Sequence, residues 1–346
     1  MSEPATRRAY VTAADVARHA GVSRSAVSRT FTPGASVSRE ARARVERAAE
    51  HLGYRVNRLA QSLNSARSSI VGLVGTELQQ PFHAALLSGL SGALIAEGFQ
   101  CMLLNAANTK REIGALMARV LEYRVSAIVV MTGTPPAGIV EECLENGVRV
   151  ILVNKLLPAL PVDTVMADHA CGGRLAAEAL LTAGCRRLAV VSSAARTASL
   201  VGRVESFRAR VKAAGVPLRV WQEGRATDYG TGRQAGLALL GRGKVDGVFC
   251  VTDLLALGFM DAARHDRHRQ IPDDLSVIGF DDIPQAAWGS YQLTTFRQPV
   301  SALAEAATRA VKDRAHDPHT PPRLATVPVE LIVRGSVRGI DAGTTG

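Results

Sequence analysis

From Ile70 onward, short apolar and β-branched runs recur along the chain: IVGLVG (70–75), AIVVM (127–131), VRVILVN (148–154), LAVVSS (188–193), GVFCVT (247–252) and LSVIGFD (275–281). Between them lie Ala/Leu-rich stretches with apolar residues at helical spacing. The runs read as strands, and their alternation with helices predicts βαβ units and a mainly parallel sheet. There are too many units for one compact sheet, so two similar lobes with a cleft between them are expected. Ligands in such folds bind beyond the carboxyl ends of the strands, which makes the residues just after each run the candidates.

Before Ile70 the pattern is helical only. Thr12 is placed to cap a first helix, with Asp15 completing a capping-box-like start, and Val16 and Ala20 share one face. Gly21 ends that helix, since only Gly easily takes the left-handed turn of a C-cap. Ser23 caps a second helix with Val27 on its inner face. Small Ala17 lets the two approach, and Val22 and Val27 fill the angle between them. The arrangement is a helix-turn-helix, whose second helix would present Arg24, Ser25, Ser28 and Arg29 outward. Arg can bond a guanine edge through two hydrogens and Ser can reach bases or phosphate, so the pair is a candidate for the DNA major groove. A polar-faced amphipathic pair is the plainer alternative. A third helix, capped by Ser38, carries Ala41, Val45, Ala48, Ala49 and Leu52 at helical spacing and closes a small core.

The segment Tyr54 to Ser68 is too short and polar to form a domain. Asn57 can cap one helical turn through Leu63, but an isolated helix of that length is marginal in water and needs something else to order it. Leu63 is an apolar residue in a polar linker, suited to wedge between base pairs in a minor groove; a plain linker is the other reading.

Charge sharpens the picture of the head. The 346-residue chain carries a net +10, and residues 1–67 hold twelve arginines against five acids, a net +7. The remaining residues carry only +3. Concentrated in one small unit, this excess reads as a footprint for a polyanion. Five dispersed cysteines without a C-x-x-C pair read as reduced thiols of a cytoplasmic protein. No signal peptide and no apolar run long enough for a membrane helix is evident.

Catalytic motifs are not found. No G-x-G-x-x-G follows a strand, GRGK (241–244) lacks the flanks of a P-loop, and no G-x-S-x-G occurs. HDRH places His265 and His268 three apart, but on so charged a helix end a solvated face is the simpler reading than a metal site, and HDPH (316–319) reads as a polar loop. Neither an enzyme, nor a cofactor, nor a metal is expected.

The run VTAADVARHAGVSRSAVSRTF, continued by VSREARARVERAAEHLGYRVNRLAQSLNSARSSIVGLV, closely resembles the head and hinge of the LacI/GalR family of bacterial transcription regulators. The resemblance implies that Arg24, Ser25 and Arg29 read the major groove and that Leu63 from each of two subunits enters the minor groove. Tyr54, Asn57 and Arg58 would join the contacts, with Thr12, Ser23 and Ser28 completing the candidate DNA set. The later runs, among them QQPFHAALLSGL, VTDLLALGFMDA and LTTFRQPV, resemble the family's effector domain, which is related to periplasmic sugar-binding proteins. Carried over by position, this implies Asn154, Asp168, Arg203, Thr252, Asp281 and Gln298 as cleft residues, with Phe82 on the first lobe. Thr252 would also serve as a helix N-cap, and Asp281 as a turn residue.

Departures from the family pattern bear on the ligand. Thr252 stands where the family usually has Asn, and Ala226 occupies the position of an aromatic that often stacks on the ligand; Tyr229 or Trp221 are substitutes to consider. Asn154, followed by Lys155, replaces the usual acid of the fourth strand. One acid fewer, with Arg203, Lys155 and Arg225 nearby, favours an acidic or phosphorylated sugar derivative.

The fold expected is thus a small all-α helix-turn-helix head followed by a two-lobed α/β domain with parallel sheets. The head spans residues 1–56 and the hinge and linker 57–68. The effector and dimerisation domain spans 69–340, with a first lobe of about 69–166 and 296–326, a second of about 167–295 and 327–340, and a tail of 341–346. The function expected is a repressor, homodimeric on a near-palindromic operator and controlled by a sugar-like effector in the cleft. The ending GSVRGIDAGTTG shows no apolar heptads for a tetramerising helix. A transport-type binding protein and an NAD-linked enzyme are the rivals. The basic head weighs against the first, and the missing phosphate fingerprint against the second.

Overall fold

The computed structural model describes residues 10–32, 34–56, 68–106, 109–224, 226–241, 245–316 and 321–340. Asn57, Arg58, Leu63, Arg225, Lys244 and His319 lie outside them. Two compact units are present, residues 1–68 and 69–346.

In the first unit, α1 (Ala13–Ala20), α2 (Arg24–Thr30) and α3 (Arg39–Leu52) pack around Val16, Ala17, Ala20, Val27, Val45, Ala48 and Ala49. Local chemistry sets each helix end. Thr12 and Asp15 form a reciprocal capping box on α1, and Ser23 and Ser38 accept backbone N–H groups at the starts of α2 and α3. Gly21 ends α1 at φ 64°, where a side chain would be strained. Arg42 donates to the Thr30 carbonyl at 2.9 Å, tying α3 to the end of α2. That arginine therefore serves the head's own packing.

The second unit contains two six-stranded sheets. The first is built from β1 (Ile70–Thr76), β2 (Gln100–Ala106), β3 (Ala127–Val130), β4 (Arg149–Val153), β5 (Asp163–Ala167) and β11 (Leu324–Val327), in the order β11-β5-β4-β3-β1-β2. All its pairings are parallel. The second uses β6 (Leu188–Ser192), β7 (Leu218–Gln222), β8 (Gly247–Cys250), β9 (Ser276–Asp281), β10 (Thr294–Arg297) and β12 (Glu330–Ile332), in the order β12-β10-β9-β8-β6-β7. Only β12 runs antiparallel to its neighbour.

Helices α4 (Pro81–Ala96), α5 (Lys110–Leu121), α6 (Ala137–Glu145) and α11 (Val300–His316) accompany the first sheet. The second is accompanied by α7 (His169–Thr182), α8 (Ala198–Ala213), α9 (Tyr229–Gly241) and α10 (Asp253–Asp261). Strands β1, β3 and β8 are buried along their whole length, as helices on both faces require.

The chain crosses between sheets after β5, after β10 and after β11. Pairing continues to Ala167 in β5, Arg297 in β10 and Val327 in β11. Each crossing therefore falls a residue or two beyond the approximate limits expected at 166, 295 and 326, because the strand ladders persist to those residues.

One close approach positions a functional side chain. A Cβ on Gly173 of α7 would sit 2.3 Å from the Arg203 carbonyl of α8, so the two helices meet backbone to backbone. Gly173→Ala must push α8 outward. Overpacking of this kind costs about 1–3 kcal/mol. Denaturant titration should show that loss, and ligand binding in the cleft should weaken with it as Arg203 shifts.

Candidate functional site

A cavity of about 410 Å³ lies between the carboxyl-terminal edges of the two sheets. From the first lobe it is lined by Thr76, Glu77, Gln80, Phe82, His83, Thr132, Asn154 and Lys155, and from the second by Thr197, Ser199, Arg203, Ala226, Thr227 and Thr252, with Asp281 and Gln298 beside them. Phe82, Asn154, Arg203, Thr252, Asp281 and Gln298 are thus brought together, from segments spread over more than 200 residues. Thr252 also caps α10 through Leu255 N.

Asp168 is the exception. It is absent from the lining because its carboxylate caps α7, accepting from Cys171 N at 2.9 Å. The next residue, His169, does not line the cavity either, but its ring joins the hydrogen-bonded network beneath it, and sequence reasoning missed it. The suggested aromatic substitutes do not line the cavity either. Trp221 is buried in the core of the second lobe, and the Tyr229 hydroxyl donates to Asp261 at 2.7 Å.

Five of these side chains close a hydrogen-bonded ring. Arg203 Nε donates to His169 Nδ1 at 3.3 Å, which leaves His169 Nε2 to carry the proton and donate to Asn154 Oδ1 at 3.0 Å. Asn154 Nδ2 donates to Gln298 Oε1 at 2.9 Å, and Gln298 Nε2 donates to Asp281 Oδ1 at 2.7 Å. Arg203 Nη1 closes the ring on the same Asp281 oxygen at 3.4 Å and also donates to the Val251 carbonyl. Every donor runs from the cation toward the carboxylate, so each bond polarises the next in the same sense. Asn154 follows β4 in the first lobe, His169 and Gln298 follow two of the crossings, and Arg203 and Asp281 belong to the second lobe. The ring therefore bridges the lobes at the floor of the cavity.

Burial sets the charge states. Arg203 is 3 % exposed, and its guanidinium stacks on Phe280 with Cζ 3.6 Å from the ring centroid. Burial, with Arg203 and Lys155 adding to it, holds His169 neutral, far below the usual imidazole range. Burial pushes the Asp281 carboxyl up, against the pull of Arg203 and Gln298. Asp253 lies behind the site, fully buried, held by Thr295 Oγ1 and Ile283 N. Burial, and then the charge of Asp281, raises its carboxyl as well. Backbone strain marks the same place: Glu77, Asn154 and Asp281 all have positive φ, at 51°, 55° and 124°.

In the head, a concave surface is lined by Thr12, Arg24, Ser25, Ser28, Arg29, Phe31, Tyr54 and Arg55. Arg29 folds back on its own helix, its Nε donating to the Ser25 carbonyl at 3.3 Å. Ser25 Oγ is also shared with Ser23 at 2.8 Å. Arg24 makes no hydrogen bond to any described residue, so its fork is available. Thr12 is engaged in its cap, and Tyr54 packs its ring against Phe31 at 5.8 Å.

The exposed His265 lies 3.9 Å from Asp261, and no group of three metal-ligating side chains occurs among the described residues. No helix among them is long and apolar enough to cross a membrane.

Residues 12–57 match the model described as bacterial regulatory proteins, lacI family, and residues 177–337 match a periplasmic binding protein-like domain. The transcriptional regulator GalS of Salmonella typhimurium is 32% identical over 86% of this chain and 88% of its own length. The regulator CelR of Thermobifida fusca is 30% identical over 95% of this chain and 99% of its own. The chain belongs to the LacI family. As a LacI-family member it is a DNA-binding transcriptional regulator. A structure of CelR with cellobiose superposes at a TM-score of 0.71, with 29% identity over 94% of this chain and 99% of that one. The fold is also that of the lac repressor dimer bound to operator and the anti-inducer ONPF, at a TM-score of 0.86 and 21% identity over 96% and 100% of the two chains.

Proposed function

We propose that this LacI-family regulator represses transcription as a homodimer on a near-palindromic operator, with a small sugar-like effector in the interlobe cleft setting its affinity for DNA. The observation that carries this reading is the ring from Asn154 to Asp281, which joins both lobes at the floor of a cavity of ligand size. A molecule that bonds to these groups competes with or completes contacts that hold the lobes, so it favours one lobe arrangement over another. Ligand and operator affinities are then coupled in both directions, by about 1–3 kcal/mol in typical cases. CelR in complex with cellobiose supports a saccharide-like ligand class. Arg24, Ser25, Ser28 and Arg29 would face the bases, with Thr12, Ser23 and Tyr54 on the flanks, and Asn57, Arg58 and Leu63 would act from the hinge.

Selection of bound sequences from random duplexes, with and without a pool of sugars and sugar acids, tests this. An enriched palindrome whose recovery changes with one compound is expected. Its affinity should fall about 10³–10⁵-fold between about 50 and 200 mM salt if some six to ten phosphates are contacted. No enrichment even at low salt overturns the operator assignment.

A further inference from the structure

We propose that Asp282, which stands outside the cavity, is a positioning residue of the effector site: clamped between Arg334 and Arg297, it fixes the strained turn that holds Asp281 in the cleft. The inference rests on the cleft being the effector site, and its test needs no effector, so either can fail without the other.

The turn that ends β9 is not one the backbone adopts freely. Asp281 has φ 124° and Asp282 φ 56°, two successive positive values without a glycine. A short acid tolerates the left-handed region at Asp282, but Asp281 lies beyond it, where side chains are rarely found. Such a conformation persists only when its surroundings over-determine it, and ligand clamps are among the places where that occurs.

The holding groups are specific. Asp282 Oδ1 accepts from Arg334 Nη2 at 2.6 Å, and its Oδ2 accepts from Arg297 Nε at 2.8 Å. The Asp282 side chain is 9 % exposed and that of Arg334 15 %, so water screens this pair little. Arg297 is 45 % exposed and also reaches Glu330 at 3.2 Å, so its share is smaller. Arg334 is itself fixed, with Nη1 donating to the Leu293 carbonyl and its backbone N to Thr294 Oγ1. One residue further on, Ile283 N donates to Asp253 Oδ2 at 2.9 Å and anchors the far side of the turn.

Asp281 has bonds of its own, but these are the ones an entering molecule would disturb. Gln298 and Arg203 both donate to its Oδ1, and both line the cavity. Asp281 Oδ2 makes no hydrogen bond to any described residue. Asp282, Arg297 and Arg334 line no part of the cavity and are bonded within the second lobe. A molecule that competes for Gln298 or Arg203 therefore leaves the clamp in place, and Asp281 stays where that molecule meets it.

The test is a double-mutant cycle on the full chain with Arg203→Met and Asp282→Gly, followed by urea titration at about pH 8, where Asp281 is charged in the parent. Glycine accepts the φ of position 282 and removes only the clamp. Arg203 bonds His169, Val251 and Asp281, whereas Asp282 bonds Arg297 and Arg334, so the two share no partner. If the clamp sets Asp281, its loss already parts Asp281 from Arg203. Arg203→Met should then lower the folding constant at least tenfold less in the Asp282→Gly background than in the parent, whereas independent sites would add. A second readout is the Gln298 side-chain amide in nitrogen NMR, assigned by its absence in Gln298→Met. Bonded to Asp281, it should be shifted and slow to exchange in the parent and ordinary in Asp282→Gly. Should Asp282→Gly not fold, Asp282→Asn, which keeps the shape and weakens the clamp, carries the same cycle. Equal costs of Arg203→Met in both backgrounds, or an unchanged Gln298 amide, overturns the positioning role and leaves the cleft assignment standing.

Discussion

Arg203→Met should destabilise the second unit by about 3–5 kcal/mol, the loss that follows when one partner of a buried ion pair is removed. The methionine chain can keep some packing on Phe280, but Asp281 is left buried with Gln298 as its remaining side-chain donor. His169 Nδ1 loses the donor that fixes its tautomer. Urea titration measures the loss, and pH gives a check that a packing defect would not pass. Arg203 is the main group holding the Asp281 carboxyl down, so its removal raises that carboxyl further. A carboxyl whose folded pKa is raised favours the folded state below its unfolded pKa and loses that contribution as pH rises through the folded one. The deficit relative to the parent should therefore be full above the variant's raised folded pKa and shrink as the pH is lowered towards about 6, where the parent's Asp281 takes a proton as well. A deficit constant from neutral to mildly acidic pH would assign the loss to packing alone.

Arg24→Ala should cost about 1–3 kcal/mol of discrimination between operator and a base-substituted site, if the contact is bidentate to guanine. At about 1.4 kcal/mol per tenfold, the ratio of affinities should drop roughly 5- to 150-fold. Arg24 is singled out over Arg29 by geometry, because Arg29 is already bonded to the Ser25 carbonyl while Arg24 has no partner among the described residues. Fluorescence anisotropy with both duplexes separates base reading from phosphate binding. Equal losses on operator and random DNA would give Arg24 a purely electrostatic role.

Both variants bear on how the site is distributed through the chain. The positions of Asn154, Arg203, Thr252, Asp281 and Gln298 were legible through the family resemblance, which carries them over position by position, and the structure brings them to one cavity. Asp168 stands apart from them for an instructive reason. At the turn from β5 into α7, one of two adjacent residues must cap the helix while the other faces inward, and sequence alone does not say which. The structure turns Asp168 to the Cys171 N–H and His169 into the ring. The strain at Glu77, Asn154 and Asp281 was likewise invisible, since none of these is the glycine that announces a positive φ.

What the sequence determined by itself is what short-range chemistry decides. Caps at Thr12, Ser23 and Ser38, the break at Gly21 and the helical spacing of Val16, Val27 and Val45 each act within a turn or two, so the head can be read directly. The alternation of buried strands and helices similarly establishes the parallel sheets of the second unit. Only the tertiary structure decided how the charges of the cleft are shared. Asn154 and Gln298 are 144 residues apart, and Arg203 and Asp281 are 78 apart. Their bonds exist because the two sheets bring strand ends and the helix carrying Arg203 to one place and exclude water there. Whether a carboxylate is offset or a histidine neutral depends on that burial and on those distant partners, which no local pattern encodes.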